Sequence, residues 1–435
     1  MMGRQPKVQN KLFYTAFNLE QRVRKNHILR KVKKHINFDF IYDEVKDKYG
    51  INGNESVAPP LILKMLLLLI FYNVRSEREL AATIPERLDW LWFLQYDLDD
   101  EIPNHSVLSK ARNRWGVEPF RAFFERIVCQ CADAGLIDGS KLFTDSSIVQ
   151  ADASNNSVIK KDGLKRYLNK SYQTLESRLE KEKINDAKHA GNHVTKSGAA
   201  NKKYISTTDP DASVTRRGKG RSKLEYQIHR GVHGKCEIIT TTEVTPGEVH
   251  EAHRMQATID SHEKNTGATV EVAIGDSKYG TIDNFLACHD RSIKAHIPSL
   301  EKSQRGTGRQ KDIFSQGRFI YDYAKDIFIC PAGQILKRRK YKKKRNHYES
   351  AASKKTCNNC TLKEKCTRSK TGRTLKRHVR QDDLDLMQTQ AISCESKKDI
   401  KTRQHLMERS FARSTRYGIN AHVGADFGGF KFKST

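Results

Sequence analysis

Two short apolar segments each run into an aspartate, and this pair restricts the possible folds more than any other feature. Lys141-Leu-Phe-Thr-Asp-Ser-Ser-Ile-Val149 is apolar and β-branched, the composition of a strand. Residues 270–274 read as a buried strand that ends at Gly275-Asp276. Strand interiors disfavour Asp, so Asp145 among Leu142, Phe143, Ile148 and Val149 needs a reason. Taken alone, an exposed-face aspartate is the simpler reading. Asp276 stands at the carboxyl end of its strand, where ligand sites of open α/β sheets gather. A turn or helix-capping aspartate is its simpler reading.

Further strands are expected at 224–230, 236–244 and 294–297, with a Pro246-Gly247 turn and helices at 253–262 and 282–289. Strands first, then alternating β and α, predict a mixed sheet flanked by helices, an α/β mixed class. A polar excursion interrupts it. It holds a charged helical stretch at 172–184 and a Gly/Lys/Ser/Thr-rich segment at 189–223.

Residues 1–135 read as mostly helical. Residues 18–36 form a basic amphipathic pattern, and Pro59-Pro60 opens a helix over 61–73. Short helices are expected at 77–83, 88–95 and 106–115, the last with Ser106 as N-cap. A helix-turn-helix-like module and a simple helical bundle fit this string equally well. The apolar run at 61–72 is interrupted by Lys64 and falls short of the roughly 20 residues a spanning helix needs. No secretory signal is visible, so a cytoplasmic protein without membrane contact is expected.

The chain has 435 residues, enough for two or three domains at about 150 each. Its 79 Lys+Arg against 51 Asp+Glu give a formal charge of +28. Such an excess disfavours a small-molecule enzyme and favours a phosphate-bearing partner, nucleic acid above all. The densest basic run is Lys337, Arg338, Arg339, Lys340, Lys342, Lys343, Lys344 and Arg345, with Tyr341 inside it. Arg216, Arg217 and Arg221 form a second, Gly-containing basic loop. Contacts from such residues go to phosphates and carry little sequence readout; a solvated charged loop is the simpler alternative.

Cys330 sits in Cys-Pro-Ala-Gly333, and Cys357-x2-Cys360-x5-Cys366 follows. Four thiolates can close a tetrahedral structural Zn²⁺ site, against the alternative of reduced structural thiols. A third acid, Glu408, lies on a helix-like stretch at 399–413. Two-metal phosphoryl transfer needs carboxylates converging on two cations about 4 Å apart, and hard Mg²⁺ prefers such oxygens. Asp145, Asp276 and Glu408 suit that chemistry.

Ordered motifs carry a family resemblance. They are Pro59-Pro60-Leu-Ile-Leu-Lys64, Ser76-Glu-Arg-Glu-Leu80, Ile102-Pro-Asn-His-Ser-Val-Leu108, Phe143-Thr-Asp-Ser-Ser147 and Ala151-Asp-Ala-Ser154. Asp209-Pro-Asp-Ala212, Val244-Thr-Pro-Gly247, Gly275-Asp-Ser-Lys-Tyr-Gly280 and Glu408-Arg-Ser-Phe-Ala412 follow. Over about 20–420 the chain resembles DDE transposases of bacterial insertion sequences, the IS1182-type group within the IS4/IS5-like set.

The resemblance implies an RNase H-like core with Asp145, Asp276 and Glu408 holding two Mg²⁺ (or Mn²⁺). It implies cleavage of double-stranded DNA at element ends, strand transfer into target DNA, and a homodimer or larger assembly at the nucleoid. The expected organisation is a helical DNA-binding region at 1–135 and the core at 136–300 with its excursion at 155–223. A basic, Cys-rich insertion at 301–395 and an acid-bearing helix with an atypical tail at 396–435 complete it. The tail departs from the family pattern. With one choice of codons, a one-base frame shift over 420–430 restores an Arg/Trp-rich reading like the family's, so a frameshift near 419 is expected to have replaced the ending. Two rivals stand beside the transposase: a non-catalytic DNA-binding protein, decayed or repurposed from one, and a plain metal-dependent nuclease.

Overall fold

The computed structural model describes residues 2, 18–50, 53–161, 200–216, 220–299 and 312–416. The stretch expected to be helical at 172–184, Arg217 and the tail from 417 onward lie outside them. The chain divides into two compact units: Met1–Gly139, Asp145–Thr269 and His405–Thr435 in one, Ser140–Thr144 and Val270–Gln404 in the other.

The first unit begins with helices α1 (Leu19–Arg22), α2 (Ile28–His35), α3 (Ile41–Val45) and α4 (Pro59–Phe71). They are followed by α5 (Glu77–Thr83), α6 (Leu88–Leu94), α7 (Ser106–Trp115) and α8 (Glu118–Asp133). Helix α4 starts on Pro59 and Pro60, whose fixed φ suits a first turn, and buries nearly all of its length. It packs against α3, α5, α6 and α7. Trp90, Phe93 and Trp115 fill the same core, and the Trp115 indole Nε1 donates to the Tyr49 hydroxyl at 3.0 Å.

Two local expectations change here. The basic segment at 18–36 is two helices, because the chain turns at 23–27; Arg30 stabilises the turn by donating to the Val23 carbonyl at 3.0 Å. Ser106 is the first helical residue of α7 rather than its cap. The Asn104 carboxamide oxygen accepts from the Ser106 N–H at 2.9 Å instead.

The sheets follow. Strands β1 (Lys141–Gln150), β4 (Ser213–Thr215), β5 (Lys223–His233), β6 (Ile238–Pro246), β7 (Val272–Ile274) and β8 (Lys294–His296) form a six-stranded sheet. Its order is β4-β5-β1-β7-β8, with β6 paired to β5. Strands β1, β7 and β8 run parallel; β4, β5 and β6 are antiparallel. The sheet is therefore mixed, and helices α9 (Met255–Thr266) and α10 (Ile282–Asp290) stand where helices were expected. Strands β2 (Val158–Lys160) and β3 (Tyr204–Ser206) make a separate ribbon within the polar excursion.

Residues 320–378, where the sequence pattern breaks down, fold as an antiparallel sheet in the second unit. Its strands are β9 (Ile320–Asp322), β10 (Ile327–Ile329), β11 (Ile335–Lys342), β12 (His347–Ala351) and β13 (Thr374–His378). Short helices α11 (Lys354–Asn358) and α12 (Lys363–Cys366) join β12 to β13. Helices α13 (Gln381–Gln390) and α14 (Cys394–Arg416) close the described chain. No described helix is long and apolar enough to cross a membrane.

Candidate active site and cysteine centre

The parallel register of β1 and β7 brings Asp145, in the middle of β1, level with Asp276, just past the end of β7. Leu142 pairs with Ala273 and Phe143 with Ile274, and two residues further on the chains carry Asp145 and Asp276. Adjacent strands lie about 4.8 Å apart, so in-register carboxylates are close neighbours. Both are half-buried.

A third carboxylate joins them, and it is Glu251. This residue opens a 3₁₀ turn, Glu251–Arg254, immediately before α9. Its side chain is buried and accepts a hydrogen bond from the Ser146 hydroxyl, which also accepts from the Gln227 amide at 2.8 Å. The His250 imidazole Nδ1 accepts from the Ala252 N–H at 3.2 Å and fixes the start of that turn. One ligand oxygen from each of Asp145, Glu251 and Asp276 lies within 4.8 Å of the others.

Backbone donors orient the two aspartates. Asp145 Oδ1 accepts from the Ser146 N–H at 2.8 Å, and Asp276 Oδ1 accepts from the Lys278 N–H at 2.9 Å. Gly275 keeps that turn tight, since a Cβ there would sit 3.1–3.3 Å from the Tyr279 side chain. Three carboxylates so close repel one another unless a cation or proton lies among them. Carboxylate-only donors suit a hard divalent cation such as Mg²⁺. The acid group is one candidate divalent-metal site.

Glu408 stands apart from this group of three. It is exposed on α14, beside buried Leu406, Met407 and Ser410. The helix end that follows it docks on β5. The buried Arg230 guanidinium donates to Ser410 O and Oγ, both at 3.0 Å, and lies 4.5 Å from the Phe411 ring centre. Burial lowers Arg230 to about 10. Glu237 pairs with Arg409 and Arg413 at 2.6 and 3.0 Å. Sequence reasoning missed Glu251. Its only local signal is an acid between two histidines just after the Pro246-Gly247 turn.

All four singled-out cysteines line one cavity of about 30 Å³. Cys330 enters from a tight turn: Gly333, at φ +72°, donates its N–H to the Cys330 carbonyl at 2.8 Å, and the Gln334 N–H reaches Cys330 Sγ at 3.3 Å. Cys357 lies on α11, Cys360 just beyond it and Cys366 at the end of α12. Burial raises the Cys366 thiol, and the neighbouring cysteines add to that. Among the described residues only the acid group brings three such donors within 4.8 Å of one another, so no three of the four sulfurs do.

The basic run is a strand rather than a loop. Lys337, Arg338, Arg339, Lys340 and Lys342 lie on β11, and Lys343, Lys344 and Arg345 form the 3₁₀ turn into β12. Arg338 pairs with Asp326 at 2.7 Å and lies over the Tyr348 ring, while Arg339 donates to the Ala352 carbonyl at 2.9 Å. Lys337, Lys340, Lys343, Lys344 and Arg345 are exposed. In the second basic loop Arg216 Nε donates to the Gly220 carbonyl at 3.1 Å, and Arg221 is exposed.

Two family models match the chain. One, described as a transposase domain (DUF772), covers residues 17–114, the span of α1 to α7. The other, described as a transposase DDE domain, covers 329–423, which contains the four cysteines, the basic strand and Glu408. Neither reaches half of the chain, and Asp145, Glu251 and Asp276 lie between them. No curated protein and no solved structure matches. The two matches and the acid group support a transposase of the DDE superfamily with a DDE-type nuclease fold.

Proposed function

We propose that the chain is a DNA transposase that cuts DNA at the ends of its own element and joins them to target DNA. The observation that carries this is the convergence of Asp145 on β1, Glu251 at the turn before α9 and Asp276 just past the end of β7. We read the mixed sheet, with Asp145 on β1 and Asp276 just past β7, as an RNase H-like core, and the chain as one of the IS1182 type.

Asp145, Glu251 and Asp276 would hold a first Mg²⁺ or Mn²⁺, and Glu408, inside the DDE-domain match, is the residue offered for a second. Bound there, the cations supply charge neutralisation at the phosphodiester and lower the pKa of the attacking water. The chain's own contribution is placement. Ser146 and Gln227 hold Glu251, backbone N–H groups hold the two aspartates, and Arg230 seats the end of the Glu408 helix. Preorganised groups of this kind need not rearrange as charge develops.

Cys330, Cys357, Cys360 and Cys366 would hold a structural Zn²⁺ that ties α11 and α12 to the β9–β13 sheet. That sheet presents the exposed lysines of β11 to the phosphates of double-stranded DNA, and the helices of 17–114 bind the element ends. Bridging two ends calls for at least two copies of the chain.

The test is a cleavage and strand-transfer assay with Mg²⁺ and duplexes carrying the gene's flanking sequences, run beside Asp276→Ala. Nicked and joined products that vanish in the variant support the transposase. Nicks without joining support the plain nuclease. Duplex binding with neither product, in both proteins, supports the non-catalytic derivative.

A further inference from the structure

Helix α4 is apolar apart from one residue, and that residue is buried. Lys64 lies mid-helix at 7% exposure. Its ammonium stands 5.7 and 5.9 Å from the ring centres of Phe38 and Phe93, and no described carboxylate pairs with it. Such rings offset only part of the cost of burying a cation. Burial, with repulsion from Lys33, pushes Lys64 down to about 8, while Asp39 pulls the other way. A methionine would fill the same space without that cost.

Lys64 reaches an open, polar cavity of about 520 Å³ wholly within the helical part of the first unit. Lys33, Lys34 and His35 border it from the last turn of α2, and Asn37, Gln95 and Gln130 add amide groups. Gln95 is held in a left-handed conformation (φ +66°) at the end of α6. Three lysines face one carboxylate, Asp39. The dipole of α2 is reason enough for basic residues in its last turn. It does not explain Lys64, which belongs to another helix.

We propose that this cavity seats a phosphate group, with Lys64 at its floor and Lys33 and Lys34 at its rim. The volume admits a phosphate together with an attached sugar. A duplex-backbone phosphodiester and a free phosphate or mononucleotide share this chemistry. The first source rests on the DNA-binding reading given above; the second does not.

Wild type, Lys64→Met and Lys33→Gln are compared in two measurements. One is affinity for a duplex of arbitrary sequence across a salt series. The other is the melting temperature in inorganic phosphate against chloride at equal ionic strength. A backbone seat predicts that Lys64→Met weakens duplex binding about 3- to 10-fold regardless of sequence and lowers the salt slope by about one. Inorganic phosphate then raises the melting temperature of wild type but not of Lys64→Met. A Lys64-dependent phosphate effect with unchanged duplex binding assigns the seat to a free phosphate or mononucleotide. Equality of the variants with wild type in both measurements overturns the proposal. Lys33→Gln changes an exposed residue, so it gives the same two readouts even if Lys64→Met fails to fold. Neither measurement involves cleavage, so loss of the seat and loss of the catalytic reading are separable.

Discussion

Asp145 on β1 and Asp276 just past the end of the parallel strand β7 each stand two residues beyond the Phe143–Ile274 pair. The sheet itself therefore holds two like charges side by side, and the turn at Glu251 adds a third. Such an arrangement has a cost without a cation, and that cost is measurable.

In metal-free buffer, Asp276→Asn and Glu251→Gln are expected to be more stable than wild type by about 1 kcal/mol, because each removes a repelling charge. Mg²⁺ is expected to raise the melting temperature of wild type by mass action and to leave the variants nearly unmoved. Thermal melts in chelator and in Mg²⁺ check both.

Glu251 and Glu408 are expected to behave differently. Glu251→Gln removes a ligand of the acid group, so affinity for a first divalent ion falls at least about tenfold. Glu408→Gln leaves that first affinity within about threefold and abolishes DNA cleavage. Metal titration beside a nicking assay separates the two.

One Zn²⁺ per chain is expected, lost in Cys360→Ser. Gly372→Ala is expected to weaken its retention, because at φ +103° a Cβ would lie 2.8 Å from Cys357 Sγ. Release of zinc to a colorimetric chelator measures both variants, and far-ultraviolet circular dichroism reports whether the β9–β13 sheet loosens with it.

Stability is expected to fall as pH drops from about 6.5 towards about 4. Burial lowers His229 from the usual 6.5 to about 4, and its ring Nε2 and the Thr245 hydroxyl share a hydrogen bond at 2.8 Å. Below 6.5 the unfolded chain takes up a proton that the folded chain refuses until about 4, so the sign is a loss on acidification. The full effect is at most about 3 kcal/mol. Burial also lowers His262, which acts in the same direction. Urea melts across this range, with His229→Gln flattening the slope, check it.

Asp145 was legible because strand interiors disfavour aspartate, and Asp276 because it stands just past the carboxyl end of a buried strand. The strands around them were legible as short β-branched runs between turn residues. The four cysteines singled out by their spacing line one cavity, while no three of their sulfurs come within 4.8 Å of one another. Glu251 was not legible, because its place depends on a hydrogen bond to Ser146, 105 residues away in sequence. The β9–β13 sheet was hidden by its charge. Lysines and arginines occupy most of β11, and its hairpin turns on Asn346 at φ +44° rather than on a glycine. Strand propensity reads neither signal well. Asn104 took the capping place expected of Ser106 because the chain was already helical one residue earlier, at His105.

We infer that Asp145, Glu251 and Asp276 together form a divalent-cation centre. Electron paramagnetic resonance of Mn²⁺ titrated into the full chain tests it most directly. Saturable Mn²⁺ binding by wild type, displaced by Mg²⁺ and lost in Asp145→Ala, Glu251→Gln and Asp276→Ala, is expected. Equal Mn²⁺ binding by wild type and all three variants would contradict it.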